Sequence, residues 1–485
     1  MKVLFFWIDI GSGHKPSFHH GIAWISGRLI SEGHEVKCMR VTQVDDLSPY
    51  GQIVADLRPD VVGISITTNQ RKYLETVVAE VRKRHSTPIV VGGVHCILDP
   101  ADVIACDGID GVCVGEGDLP MSVLMSKLSR AEGYSDTPSF WWKIKGLQEN
   151  KTEIVKNALA PFEDDLNSLP LPNYSVFDAD ALLKELAGYF NVMVSRGCPY
   201  NCSYCCNHAI RSAYRRLSGY FRILTPSNAV SLIKGCMDRH SGIRGFIFED
   251  DLLLWDKNWF LAFADEYRMK IGLPYICNGH INSVDQDIVN ALVMSGCRSV
   301  MLGLESGDEE LRATLLRRHY SNEKVMAVAN LFHKSGIQFF TYNIFGFPFE
   351  TKEQMARTVQ INTAIRPHSG QAFFFYPYPG TDLYNLCKEH NLLNRSEMES
   401  VSGYREKPTI RLTNCSIEDC IRQHNTLQLY FISRRFARVL SLDSKLLDKT
   451  IHSLLMIYPS FLVRLFSKEN VIKKVLRWIQ YRFLR

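Results

Sequence analysis

Short β-rich runs alternate with helical stretches over residues 1–120, and the same alternation begins again at residue 191. Nothing else in the 485-residue chain limits its fold as strongly. In the first series 3–8, 35–41, 61–66, 88–91 and 111–114 read as strands, with helices at 22–32 and 72–84. Strands separated by helices imply parallel βαβ units with right-handed connections, hence a doubly wound α/β sheet. In the second series 191–195, 245–249, 275–278, 299–305, 338–345 and 371–376 read as strands, separated by helices such as 227–239, 285–295 and 322–335. Six β-α repeats suggest an open barrel, with chemistry at the C-terminal strand ends. Between the two series the pattern fades. S-L-P-L-P-N-Y at 168–174 is extended and proline-punctuated, and such a stretch reads as a linker. Beyond residue 384 only helical patterns remain, at 416–439 and at 445–484 with a break at Pro459.

Composition excludes several classes. Apolar content of 46% and charged content of 22% are those of a soluble globular protein. No apolar run approaches the length that spans a bilayer, about 18 residues. The N-terminal M-K-V-L-F-F-W-I meets Asp9 too early for a signal peptide. Fourteen cysteines without regular spacing in a chain this long point to a reducing, cytoplasmic setting. The net charge of +5 is concentrated in 461–485, with seven basic residues against one acid. The rest of the chain is close to neutral, which speaks against nucleic acid as a partner. In that tail apolar residues recur every three or four positions opposite Lys and Arg. Such a helix either lies on an anionic membrane surface, which would suit a lipid-linked substrate, or packs on the body with a basic outer face.

The chemistry is densest at 195–207, S-R-G-C-P-Y-N-C-S-Y-C-C-N. Cys198, Cys202 and Cys205 are spaced C-x3-C-x2-C, with Cys206 adjoining. A structural zinc would want a fourth ligand and usually a second knuckle. A redox pair would need only Cys202 and Cys205. An iron–sulfur cluster held by three thiolates, with one iron open, fits best.

This loop, with the aromatic Tyr204 before its last cysteine, resembles the signature of the radical S-adenosylmethionine (SAM) enzymes. Other landmarks agree. F-E-D-D ending in Asp250 and Asp251 resembles their second-strand motif, and G-L-E-S-G with Glu305 their fourth. G-F-P-F-E-T at 346–351 resembles the fifth, with Phe349 in place of a glycine, and Y-P-G-T-D-L-Y at 378–384 the sixth. The resemblance implies a partial (β/α)6 barrel and a [4Fe–4S] cluster on Cys198, Cys202 and Cys205. It implies SAM contacts from Tyr204, Asp250, Asp251 and Glu305, with Arg317 or Arg318 facing the SAM carboxylate. His280 lies where relatives often carry arginine.

The first series resembles the flavodoxin-like (Rossmann-like) cobalamin-binding domain. Its marks are Ser65 and Thr67 after the third strand, Gly92 and Gly93 after the fourth, and Gly115-Glu116-Gly117 after the fifth. The cobalt-ligating D-x-H-x-x-G is absent, leaving His14, His19 and His20 as nearby histidines. Gly11-Ser-Gly13 fails as a dinucleotide loop because Pro16 replaces the last glycine.

The organisation expected is therefore 1–145 cobalamin-binding-like, 146–188 linker, 189–388 radical SAM barrel, and 389–485 a helical C-terminal region. The activity implied is methyl transfer to an unactivated carbon of a small-molecule or lipid-linked substrate, by 5′-deoxyadenosyl radical hydrogen abstraction. Cobalamin, SAM and the cluster are the implied cofactors, and flavodoxin or ferredoxin the electron donor. Two alternatives stand beside it: a cyclase, oxidase or rearrangement enzyme of the same architecture, and a cobalamin-binding regulatory or carrier module.

Overall fold

The computed structural model describes residues 1–10, 17–145, 152–214, 219–401 and 403–439. The loop with His14 and Pro16, and the basic tail 461–485, lie outside the described residues. Five parallel strands, β1 (Lys2–Ile8), β2 (Glu35–Val41), β3 (Val61–Ser65), β4 (Ile89–Gly92) and β5 (Gly111–Cys113), form the first sheet in the order β2-β1-β3-β4-β5. β1 and β3 are apolar nearly throughout because helices cover both faces of the sheet. The pattern read in the sequence stands here.

Two further strands stand where the sequence pattern had faded. β6 (Phe140–Lys145) and β7 (Thr152–Lys156) form an antiparallel hairpin that extends the sheet beyond β5. β7 falls inside 146–188, the stretch read as a linker. Its face is largely exposed, so the usual apolar alternation is missing from its sequence. Gly111 is required opposite this hairpin: a Cβ there would lie 2.5 Å from the Trp142 ring.

The second sheet is parallel and runs in chain order: β8 (Tyr189–Val192), β11 (Gly245–Phe248), β12 (Tyr275–Gly279), β13 (Cys297–Glu305), β14 (Gln338–Phe345) and β15 (Ser369–Phe374). Between β8 and β11 lies a short antiparallel ribbon of β9 (Ser195–Arg196) and β10 (Arg222–Ile223). Asp and Ser/Thr caps fix the starts of the outer helices, among them Thr225, Asp256, Asp285, Ser321 and Thr351. β15 does not pair with β8, so the barrel stays open. Its free edge is covered by residues near 404–410, where Tyr404 O accepts from Phe374 N–H at 2.6 Å and Thr409 Oγ1 donates to Phe375 O at 3.0 Å. The helix Ile417–Val439 packs on the outer face of β14 and β15. Among the described residues no helix is long and apolar enough to cross a membrane.

One apolar core runs through both sheets. Phe18 of the first domain stacks on Phe190 of β8 at 4.3 Å, and Tyr174 and Phe177 of the stretch read as a linker pack edge-on against Phe18. Charges lock the same junction. Arg196 Nη1 donates to Glu116 Oε2 at 2.7 Å and to Asp118 Oδ2 at 2.8 Å, and Arg222 pairs with Glu116 from β10. Breaking a mostly buried ion pair strands the surviving charge, at a cost of about 3 kcal/mol. Arg196→Ala should therefore lower the denaturant midpoint clearly. Glu75→Ala, which removes an exposed partner 3.6 Å from Arg71, should cost about 0.5 kcal/mol or less. Equal midpoints for the two variants would show that the charged junction contributes nothing.

Candidate active site

The contacts between the domains join the C-terminal strand ends of one sheet to those of the other. Glu249, just past β11, accepts from Asn191 Nδ2 at 2.6 Å within the barrel. Its other oxygen meets Ser17 Oγ at 2.5 Å and His20 Nε2 at 3.0 Å in the first domain. His20 Nδ1 in turn lies 2.9 Å from the Tyr174 hydroxyl. The two sites suggested by the sequence thus face each other.

The cysteine loop leaves β9 through Gly197, at φ 80°, where a Cβ would lie 2.5 Å from Tyr220 O. Asp250 fixes its start. This fully buried carboxylate accepts through Oδ1 from Val194 N–H at 2.9 Å and from Ser195 N–H and Oγ–H at 2.5 Å. Burial pushes its pKa up to about 6, and Oδ2 has no hydrogen-bond partner among the described residues. Ser203 pins the loop's middle, its Oγ donating to Leu315 O at 2.5 Å and its carbonyl accepting from Leu383 N–H at 3.1 Å. Cys205 then leads into the helix Cys206–Ala213.

Cys198, Cys202 and Cys205 lie near one another: a charge on Cys202 or Cys205 would act on the Cys198 thiol. Burial is the main cause that raises the thiols of Cys198 and Cys202, whereas Cys205 is raised first by its hydrogen bond with Cys206. Among the described residues no group of three His, Cys, Asp or Glu closes on a single ion. Three thiolates spread around a cluster of several irons need not meet at one point.

Beside the thiols stands a buried polar group built from β13 and the loop after it. Arg318 Nη1 lies 3.6 Å from Cys202 Sγ and 3.4 Å from the Tyr204 hydroxyl, and Nη2 donates to Gly303 O at 2.5 Å. Glu305 lies 3.9 Å from the same guanidinium, and burial raises its pKa. Glu305 has φ 64°, at a register shift in β13. A non-glycine residue held in the left-handed region stores strain of the kind that gathers at functional sites. Of the two arginines named from the sequence, Arg318 joins this group, while the more exposed Arg317 pairs with Asp382 at 2.6 Å.

The structure also gives the surroundings of the other positions named from the sequence. Asp251 is exposed and accepts from Asn207 Nδ2 at 2.9 Å. His280 is buried, stacks on Tyr200 of the cysteine loop at 3.9 Å, and burial lowers its pKa to about 2. It therefore cannot replace the charge of an arginine. Phe349 keeps the left-handed backbone that glycine would adopt freely, at φ 63°. Glu350 behind it is buried, accepts from Gly346 and Phe347 N–H groups, and has its pKa pushed up to about 8 by burial.

In the first domain Gly92, Gly93, Ser65, Gly115 and Glu116 all lie at C-terminal strand ends, with Thr67 just beyond β3. A Cβ on Gly93 would strike Ile66 O at 2.4 Å, so the turn itself needs that glycine. A Cβ on Gly92 would meet nothing closer than Cys113 Cβ at 3.9 Å, leaving its backbone open to approach. The Glu116 carboxylate is held by Arg196 and Arg222, and its N–H donates to the Tyr214 hydroxyl at 2.7 Å. Its side chain joins the domains. Two histidines are engaged as well. His19 Nδ1 caps its helix at Ile22 N–H and its Nε2 shares a hydrogen bond with Ser65 Oγ at 2.8 Å, while His20 is tied to Glu249 and Tyr174. The sequence reading missed Glu249, Arg196, Arg222 and Asp118. Their partners lie 58 to 232 residues away, and no local pattern signals such pairs.

Comparison with known proteins agrees with this arrangement. The radical SAM superfamily model matches residues 192–361, and the B12 binding domain model matches residues 16–125. The uncharacterised methyltransferase PH0819 of Pyrococcus horikoshii is 24% identical over 77% of this chain and 79% of its own. The anaerobic magnesium-protoporphyrin IX monomethyl ester cyclase of Cereibacter sphaeroides is 23% identical over 77% of this chain and 63% of its own. The fold is also that of the radical SAM methyltransferase TsrM from Kitasatospora setae, with a TM-score of 0.66 at 17% identity, over 80% of this chain and 75% of that one. With both models matched in this order on one chain, the protein is a radical SAM enzyme with an associated B12-binding domain.

Proposed function

We propose that the protein is a cobalamin-dependent methyltransferase acting on an unactivated carbon. The observation that carries this reading is the junction itself: Glu249, at a C-terminal strand end of the barrel beside Asp250, is bonded to Ser17 and His20 of the first domain, whose own strand ends carry Gly92 and Gly93. When bound, the cluster supplies the electron that splits SAM into methionine and a 5′-deoxyadenosyl radical, and cobalamin supplies a methyl group. Cys198, Cys202 and Cys205 would hold the cluster. Arg318 is aimed by Gly303 O and could face a carboxylate on the cofactor's amino-acid end. Glu305 and the unpartnered Oδ2 of Asp250 could accept from an ammonium or a hydroxyl at the same end of the cofactor.

The cyclase relative supports a second reading, radical chemistry on the same framework without methyl transfer. An external low-potential donor, flavodoxin or ferredoxin, belongs to both readings. So do a small-molecule or lipid-linked substrate and a cytoplasmic setting with the basic tail 461–485 at a membrane surface.

Two measurements test the proposal. After anaerobic reconstitution, Cys198→Ala, Cys202→Ala and Cys205→Ala should each lose nearly all cluster iron and visible absorption, while Cys206→Ala keeps both. Equal loss in the Cys206 variant would give that thiol a ligand's place. The wild-type protein, loaded with cobalamin and given methyl-labelled SAM and a reductant, should form both S-adenosylhomocysteine and 5′-deoxyadenosine. 5′-Deoxyadenosine alone, in protein that retains no cobalamin after desalting, would discard methyl transfer in favour of the second reading.

A further inference from the structure

The inner face of the barrel at its open edge carries two arginines that the proposal above leaves unused. β14 and β15 alternate buried outer residues with half-buried inner ones. Tyr342 of β14 and Gln371 of β15 are register partners on the inner side. Arg405 lies over this surface: Nη2 donates to Gln371 Oε1 at 2.6 Å, and Cζ is 5.0 Å from the centre of the Phe373 ring. Arg435, from the helix Ile417–Val439, reaches the same face from the other side of the edge, with Nε donating to Ser369 Oγ at 2.5 Å. Ser369, Gln371 and Phe373 follow one another on one face of β15, about 7 Å per step.

Neither guanidinium meets an anion among the described residues. The groups that act on Arg405 are its burial and Tyr342; those that act on Arg435 are its burial and Arg405 itself. Burial pulls both below arginine's ordinary value, yet a guanidinium stays charged at any working pH. The remaining N–H groups of the two side chains donate to no described residue. Arg405 is exposed and Arg435 half-buried. Elsewhere in the protein several half-buried arginines are answered by carboxylates, Arg40 by Asp9, Arg71 by Asp102, and Arg196 by Glu116 and Asp118, while the buried Arg312 is met by neutral oxygens alone. Arg405 is near enough to act on Arg435, and two like charges side by side are relieved when an anion binds both.

We infer that Arg405 and Arg435 bind an anionic group of the substrate, a phosphate or a carboxylate, on the inner face of the barrel. The substrate class is then an anionic small molecule, held at the open edge by forked N–H donors that suit these planar or tetrahedral oxyanions. The inference rests on the barrel being catalytic.

The test titrates the cluster-reconstituted full chain with inorganic phosphate, and separately with succinate, at constant ionic strength set by sodium chloride. One of the two should raise the unfolding temperature along a saturating curve in the range of about 1–50 mM, and which one does so separates phosphate from carboxylate. Arg405→Gln and Arg435→Gln should each cut that shift by about fivefold or more. Without any variant, the same anion should slow phenylglyoxal labelling of the Arg405 peptide several-fold. A wild type indifferent to both anions, a shift undiminished in the variants, or labelling that the anion does not slow would overturn the inference. Formation of 5′-deoxyadenosine by the same wild-type preparation judges the radical chemistry separately. Anion binding without cleavage would leave this site and remove the catalytic reading, and cleavage without anion binding would do the reverse.

Discussion

Arg196 is the constraint on which the rest of the active region depends. It stands two residues before Cys198, so whatever fixes its guanidinium fixes the root of the cysteine loop. Glu116 and Asp118 grip it from the first domain, and the Trp24 ring lies 4.6 Å beneath it. Apolar packing between domains tolerates small slides, because one methyl contact is much like the next. A forked donor between two carboxylates does not: a slide of an ångström or two loses bonds whose polar atoms are already mostly desolvated. The stacked rings of Phe18, Tyr174, Phe177 and Phe190 supply the area of the junction, and the arginines supply its register.

Several residues around the site depart from ordinary local rules. Glu305 and Phe349 occupy left-handed backbone without being glycine. Asp250 keeps one oxygen buried without a partner, as does His280 with its Nε2. Arg405 and Arg435 keep charges that no described carboxylate answers. Each of these costs stability and is held only because the surrounding barrel over-determines it. Glu305, Phe349, Asp250 and His280 all lie at or just past C-terminal strand ends of the second sheet.

The parts of this structure that a local period specifies were legible in the sequence. The five parallel strands of the first sheet and the six of the second stand within a few residues of their expected places, because each is an apolar run set off from the next by a helical stretch. The helix Asn322–Ser335 falls on the expected residues because Ser321 opens it and Gly336 closes it at φ 76°. β7 was not legible, since an exposed outer strand carries no apolar stripe. Within the site, the cysteines were legible as spacing, while the side-chain roles were not. Asp250 reads as a cofactor contact in its motif, yet one of its oxygens is turned to the backbone of Val194 and Ser195. Glu116 reads as part of a glycine loop, yet its carboxylate joins two domains. Direction of a side chain across tens of residues is a tertiary fact, and neither composition nor spacing encodes it locally.

A shared core and a charged junction leave little freedom for the two domains to rock against each other, and that has a consequence for selectivity. If the distance between the two strand-end sites is fixed, discrimination among substrates cannot come from closure of one domain on the other. It has to reside in the part of the barrel that varies without disturbing the junction. The open edge meets that condition. The segment that carries Arg405 touches β15 through few backbone bonds, and Arg435 enters from a helix packed on the outside of the sheet. Neither contacts the cysteine loop or the Arg196 clamp. Exchange of these side chains would alter what the barrel holds while leaving untouched the geometry that any radical step requires.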